Sequence, residues 1–164
     1  ISLQRKWAYD GDNALNALQI SSKVDEILTQ TGASKVDIVA HSMGGLSARY
    51  YIKHVMNGDK VDDYVSLDSP QHGFYVYRLW GIDWYTQYTS FLYDFYPNNN
   101  LFSDLNGDGN ETPGSVHYFC FYIDDISATL DGASNVNTPW VTHAQMPSNA
   151  YMIAYVSMCV TNYY

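Results

Sequence analysis

The chain of 164 residues has few basic residues, few cysteines and no long apolar run. Its 8 lysine and arginine residues, against 17 acidic residues, give a net charge of −9. Such a charge argues against binding to nucleic acid, because that affinity depends largely on phosphate neutralisation by basic side chains. The longest apolar stretch, residues 150–160, is too short for the roughly 20 residues that cross a bilayer, so no transmembrane segment is expected. A neutral or apolar substrate fits this composition better.

Cysteine is also scarce. Cys120 and Cys159 allow either one disulfide across a long loop or two buried thiols, and they lack the spacing of a metal site.

Residues 104–109 begin with the spacing of an EF-hand calcium loop. The twelfth position, where such a loop needs a bidentate acid, is Ser115. We therefore expect residues 97–114 to form a turn-rich loop, and we expect no metal or cofactor. The low lysine content and the 16 tyrosines favour a secreted protein.

Strands and helices alternate along the chain, which is typical of a parallel sheet flanked by helices. The length fits a single domain over residues 1–164, with an aromatic-rich insert at about 74–100. The predicted elements are, in chain order, an amphipathic helix that ends at Gly32, a strand over 35–41, a helix from 43 to about 54, strands over 61–67 and 116–123, a short strand over 136–141 and a last helix capped by Ser148.

The strand over 35–41 runs directly into Ser42, and a helix is predicted to follow. With small residues at Ala40 and Gly44, this pattern is typical of a nucleophile elbow, a strand-to-helix turn so tight that the serine takes a strained backbone conformation. The turn exposes the hydroxyl and leaves the backbone N–H of Met43 at a helix N-terminus, where it can stabilise an oxyanion. We therefore expect Ser42 to be a nucleophile and Met43 to be an oxyanion donor.

A serine nucleophile needs a general base, and a histidine serves as that base when an acid fixes its tautomer. In open α/β sheets these groups follow the carboxyl ends of strands, and α/β-hydrolases place them in the chain order Ser, Asp or Glu, His. Asp124 follows the strand over 116–123, and His143 follows the next strand. We predict that Ser42, Asp124 and His143 form a catalytic triad, with Asp125 as the alternative acid.

With these motifs the chain resembles the small bacterial triacylglycerol lipases of the α/β-hydrolase fold, often called lipase class 2. Their elbow reads Ala-His-Ser-Met-Gly-Gly, as residues 40–45 do here, and residues 69–73, 111–114 and 130–136 are similar to further signatures of that family. Family members usually show the acid as Asp-x-(Ile/Val), which residues 124–126 satisfy. The resemblance implies an α/β-hydrolase with a mostly parallel sheet that cleaves carboxylic esters through an acyl-enzyme.

The resemblance also implies a strand that ends in His-Gly upstream of the elbow helix and supplies a second oxyanion donor. This sequence contains no such strand. We therefore expect that one or more N-terminal strands of the intact domain are missing from it.

Two further histidines lie near the predicted site. His41 directly precedes Ser42, and we interpret it as packing of the elbow. His72 belongs to the loop over residues 69–73, for which a structural role is expected.

The aromatic-rich insert has two interpretations. It can pack as additional core, because large aromatic side chains dominate burial energetics. Alternatively it forms a rim over Ser42 that contacts acyl chains or a lipid surface, with Trp80 and Trp84 as substrate-binding residues.

We predict a secreted serine ester hydrolase, a lipase or esterase, that acts on an ester or lipid substrate at a lipid–water interface. One alternative is an esterase for aromatic or polysaccharide-linked esters. Another is a catalytically inactive hydrolase-like binding module.

Overall fold

The computed structural model describes residues 13–56, 59–73 and 100–161. Trp80, Trp84 and the rest of the aromatic-rich insert up to residue 99 lie outside the described residues. The described part forms a four-stranded parallel sheet with helices on both faces. This architecture confirms the predicted fold class.

The sheet consists of strands in the same order as they occur in the chain. They are β1 (Val36–His41), β2 (Val61–Leu67), β3 (His117–Tyr122) and β4 (Ser134–Asn137). Each strand is parallel to its neighbour, so the carboxyl ends of all four lie at the same edge of the sheet. That edge is where an open α/β sheet places a binding or catalytic site.

Strand β2 is buried on both faces, as expected for an inner strand of a parallel sheet. Val61 and Tyr64 belong to the apolar cluster on one face. Val65 and Leu67 belong to the cluster on the opposite face. This double burial fixes the position of the loop that follows β2.

Four α-helices surround this sheet in the described residues. They are α1 (Asn13–Thr31), α2 (Met43–Tyr50), α3 (Asn100–Asn106) and α4 (Ala150–Val160), and a π-helical turn over Tyr51–Val55 continues α2. Helix α1 buries Ala17, Ile20 and Val24, which recur at helical spacing, in the first cluster. As predicted, it ends at Gly32, whose φ of +71° favours glycine.

The two cysteines are buried as free thiols. Cys120 packs in the cluster that includes α1, and Cys159 packs in the cluster on the other face of the sheet. Burial raises the pKa of Cys120 to about 12 and also raises the pKa of Cys159. Of the two arrangements that the sequence allowed, the structure therefore has the buried thiols.

Three local elements differ from the sequence-based predictions. Residues 100–106 of the expected turn-rich loop form α3, which buries Phe102 and Leu105. Strand β4 begins at Ser134, earlier than predicted, and ends at Asn137. The side chain of Asn149, instead of Ser148, caps α4 by accepting hydrogen bonds from the first backbone N–H groups of the helix.

A buried arginine joins α2 to the chain around α3. Arg49 is 2% exposed. Its guanidinium donates hydrogen bonds to the side chains of Gln71 and Asn106 and to the carbonyl oxygens of Leu105 and Glu111. Because one planar donor group joins four acceptors from different parts of the chain, we expect Arg49 to be a major contributor to stability.

Replacing Arg49 with Met should lower the free energy of unfolding by about 3 kcal/mol, because the buried acceptors would lose their charged donor. Urea unfolding followed by circular dichroism measures this loss. Lys23→Met is a suitable control, since the side chain of Lys23 is 43% exposed and forms a surface ion pair with Glu26. Equal stability of Arg49→Met and Lys23→Met would contradict the proposed contribution.

Candidate active site

Ser42 lies between the last residue of β1 and the first residue of α2. Its backbone has φ of +55° and ψ of −135°, a conformation that residues with a side chain rarely adopt. The backbone N–H of Ser42 donates a hydrogen bond to the carbonyl oxygen of Leu67 at the end of β2. The strained geometry expected of a nucleophile elbow is therefore present, and it is anchored to the neighbouring strand.

A glycine allows α2 to approach the loop after β2. A Cβ atom on Gly45 would overlap the side chain of Ser69, whereas a Cβ on Gly44 would meet no described atom within 4 Å. The glycine that this close approach requires is therefore Gly45.

His143 lies in a short turn that two buried side chains hold. Val141 precedes it and Met146 follows it, and both pack in the cluster beside α4. The side chain of Gln145 accepts hydrogen bonds from the backbone N–H and the hydroxyl of Thr142. The Nε2 atom of His143 lies 3.1 Å from the Oγ of Ser42, so the structure brings these two predicted residues together.

The acid beside His143 is Asp68, which the sequence analysis did not select. An Oδ2 atom of Asp68 lies 2.7 Å from the Nδ1 of His143. The other carboxylate oxygen accepts a hydrogen bond from the backbone N–H of Ile123, and the Asp68 N–H donates to the carbonyl oxygen of Phe121. The carboxylate is thus held between the end of β3 and the histidine.

The position of Asp68 follows from the strand register. His41 and Leu67, the last residues of β1 and β2, are paired across the sheet. Ser42 and Asp68 directly follow them, so the two residues leave adjacent strands side by side. Both have a positive φ, which turns the chain sharply at each strand end. Asp68 satisfies the chain order Ser, Asp, His as well as Asp124 does. Its position directly after a predicted strand could have indicated it as a candidate acid.

Asp124, the predicted acid, has a partner other than His143. The carboxylate of Asp124 accepts a hydrogen bond from the side-chain amide of Asn137, at 2.9 Å, and its backbone N–H donates back to that side chain. Strand β3 also lies one strand farther from β1 than β2 does, which adds about 4.8 Å of separation. The alternative acid, Asp125, instead accepts a hydrogen bond from the backbone N–H of Ser127 and caps a short 3₁₀ turn over Ile126–Ala128.

The remaining predicted residues lie as follows. Met43 is the first residue of α2, where backbone N–H groups have no acceptor within the helix. His72 supports the loops beside the site, because its ring nitrogens lie 2.7 Å from a carboxylate oxygen of Glu111 and 3.3 Å from the carbonyl oxygen of Ser127. Burial opposes ionisation of Glu111, but the hydrogen bonds from Asp131 N–H and His72 outweigh it and lower the pKa of Glu111.

Within the described ranges, one group of three acidic side chains has the spacing of a metal site. It consists of Asp37, Asp62 and Asp63, whose nearest oxygen atoms lie within 4.8 Å of one another. Two of its members already have partners, since Asp62 pairs with Lys35 and Asp63 with His117. The group lies on the first residues of β1 and β2, at the end of the sheet away from Ser42.

Two bacterial structures show the same fold. The lin2722 gene product of Listeria innocua has a TM-score of 0.61 at 12% identity, over 90% of this chain and 66% of that one. The mature lipase BlEst2 of Bacillus licheniformis has a TM-score of 0.63 at 17% identity, over 84% of this chain and 69% of that one. The chain therefore spans about two thirds of the length of these two neighbours.

The sequence profile of palmitoyl protein thioesterase matches residues 8–140, which include Ser42 and Asp68 and end just before His143. This match covers well over half of the chain. The profile match shows the family, whereas the two structural neighbours show the fold and the resemblance to small bacterial lipases stays a proposal. The chain belongs to the palmitoyl protein thioesterase family and has the α/β-hydrolase fold.

Proposed function

We propose that this protein is a serine hydrolase of carboxylic esters in which Ser42, His143 and Asp68 form the catalytic triad. The observation that carries the proposal is the continuous hydrogen-bonded chain from Ser42 Oγ through His143 to the Asp68 carboxylate, with distances of 3.1 and 2.7 Å. The family match and the lipase among the structural neighbours support an activity on esters.

Each member of the proposed triad has a distinct role. A carboxylate accepts only, so Nδ1 of His143 carries the proton that is shared with Asp68, and Nε2 is left to accept the proton of the Ser42 hydroxyl. Ser42 attacks the ester carbonyl as His143 takes its proton, and His143 then protonates the departing alkoxide. Water, deprotonated by His143, hydrolyses the acyl-enzyme and regenerates Ser42. Asp68 keeps the tautomer and stabilises the imidazolium.

The backbone N–H of Met43 is the proposed oxyanion donor. It belongs to the residue after the nucleophile and to the first turn of α2, where the partial positive charge of the helix favours a developing anion. Removal of one such donor costs about 10²–10³ in kcat in a serine protease.

Two classes of acyl substrate follow from the resemblances. The similarity to small bacterial lipases and to BlEst2 supports an oxygen ester, such as a triacylglycerol. The family description supports an acyl thioester as the second candidate. The same triad serves both, because the acyl-enzyme is identical and only the leaving group differs.

A panel of p-nitrophenyl esters from acetate to palmitate, together with a palmitoyl thioester, tests this proposal. We expect hydrolysis of the oxygen esters that disappears in Ser42→Ala. Turnover of the thioester alone would assign the second candidate. Binding without turnover of any of these substrates would instead support the inactive binding module.

Trp80 and Trp84 remain proposed contacts for long acyl chains. Replacing both with Ala should impair hydrolysis of insoluble long-chain esters far more than hydrolysis of short soluble esters, because only the former need a large apolar contact surface. Initial rates on triolein emulsion and on soluble p-nitrophenyl acetate make the comparison. Equal losses on both substrates would assign the two tryptophans a structural role.

Secretion also stays a proposal, supported by the low lysine content and the abundance of tyrosine. No helix in the described ranges is long and apolar enough to cross a membrane. Immunoblotting of culture medium against cell lysate tests export.

A further inference from the structure

The ring of His41 contacts the turn that carries His143. Its Nε2 atom lies 2.9 Å from the backbone carbonyl oxygen of His143. A carbonyl oxygen only accepts hydrogen bonds, so the proton of His41 is on Nε2. Burial lowers the pKa of His41, and the nearby ring of His143 lowers it further. His41 is therefore a neutral N–H donor at neutral pH.

The two imidazole rings also pack against each other. Their centroids lie 4.5 Å apart, and the ring planes are tilted by 38°. His41 is the last residue of β1, whose pairing with Leu67 on β2 fixes its backbone. The ring thus reaches from a rigid strand of the sheet to an exposed turn.

His143 needs this support because its own side chain is 48% exposed. Asp68 and Ser42 contact the two nitrogens of the ring, and these contacts fix the ring only if the backbone beneath it stays in place. The hydrogen bond from His41 is made to that backbone. A displacement of about 1 Å at a reacting group can cost about 10²-fold in rate.

We propose that His41 is a positioning residue, which holds the backbone of His143 through its Nε2–H and thereby keeps the imidazole within reach of Ser42. This inference rests on the proposed hydrolase function. It goes beyond the packing role that the sequence suggested for His41, because it assigns the effect to one hydrogen bond and not to the volume of the ring.

The test compares His41→Leu, which fills similar space without a donor, with His41→Gln, whose amide retains a donor. Rates on a soluble p-nitrophenyl ester are normalised to active sites titrated with a fluorophosphonate. We expect His41→Leu to lower kcat about 10–100-fold with little change in KM or in the urea midpoint, and His41→Gln to recover most of that loss. His54→Leu, on an exposed histidine of the π-helical turn, is the matched control.

Three results would overturn the inference. Wild-type kcat in His41→Leu would mean that the hydrogen bond has no positioning effect. Equal losses in the Leu and Gln variants would assign the effect to the ring instead. Long-range ¹H–¹⁵N NMR that showed His41 protonated on Nδ1 alone at neutral pH would exclude the hydrogen bond.

The NMR result does not depend on turnover, so it separates the two proposals. An Nε2–H tautomer in a protein that fails to hydrolyse any ester would leave the contact intact and end the hydrolase proposal. Ester hydrolysis by a protein in which His41 is protonated on Nδ1 would support the hydrolase proposal and end the inference about His41.

Discussion

Replacing Asp68 with Asn should lower kcat for ester hydrolysis by about 10⁴-fold with little change in KM. The asparagine amide would donate to Nδ1 of His143 and shift the ring proton to Nε2, which then could not accept the proton of Ser42. The neutral amide would also fail to stabilise the imidazolium. Steady-state kinetics on a soluble p-nitrophenyl ester measure the loss.

Asp124→Asn is the matched control for this substitution. Asp124 also follows a strand and also has a positive φ, but its carboxylate binds Asn137. We expect its kcat to stay near the wild-type value. If Asp124→Asn lost activity by orders of magnitude while Asp68→Asn did not, the sequence-based choice of acid would stand and the assignment of Asp68 would fail.

Replacing Ser42 with Ala should remove the activity almost completely, by about 10⁶-fold in kcat, because no covalent intermediate can form. The fold should persist, since alanine retains the Cβ atom that the backbone at φ of +55° already accommodates. Ser148→Ala, on an exposed serine near α4, is the control. Substantial turnover by Ser42→Ala, with circular dichroism like that of the wild type, would place the chemistry at another residue.

The parts of the fold that local sequence determines were predictable. Strand β2 has the predicted bounds because strand-forming valines and a tyrosine recur between Val61 and Leu67, and Ser69-Pro70 ends the run. Ser42 could be selected as the candidate nucleophile for the same reason, since an elbow is a local strand-to-helix turn with small neighbours. His143 was selected as the candidate base from its place after a strand late in the chain.

Which aspartate lies beside His143 was not predictable, because that depends on a distance between strands. Asp68 and Asp124 both end a strand and both precede His143, so sequence order could not separate them. The sheet separates them, because β2 is adjacent to β1 and β3 is one strand farther away. The contact of His41 with the His143 carbonyl oxygen could not be predicted either, because it joins residues 102 positions apart in the sequence.

Helix α3 was missed because polar residues dominate its sequence. Asp104, Asn106 and Gly107 are typical of turns, yet Phe102 and Leu105 are buried there against Leu46. The carbonyl oxygen of Leu105, near the end of α3, accepts hydrogen bonds from Arg49 and from Lys53, which also pairs with Asp108. Tertiary contacts therefore stabilise a helix that local propensity disfavours.

The rate constant for labelling of Ser42 by a fluorophosphonate tests the triad most directly, because it reports nucleophile activation without knowledge of the natural substrate. Peptide mapping should locate the adduct on Ser42. The Ser42–His143–Asp68 triad predicts rapid labelling of the wild type and of Asp124→Asn, and labelling slowed by orders of magnitude in Asp68→Asn. Equally rapid labelling of Asp68→Asn, or no labelling of the wild-type protein, would contradict it.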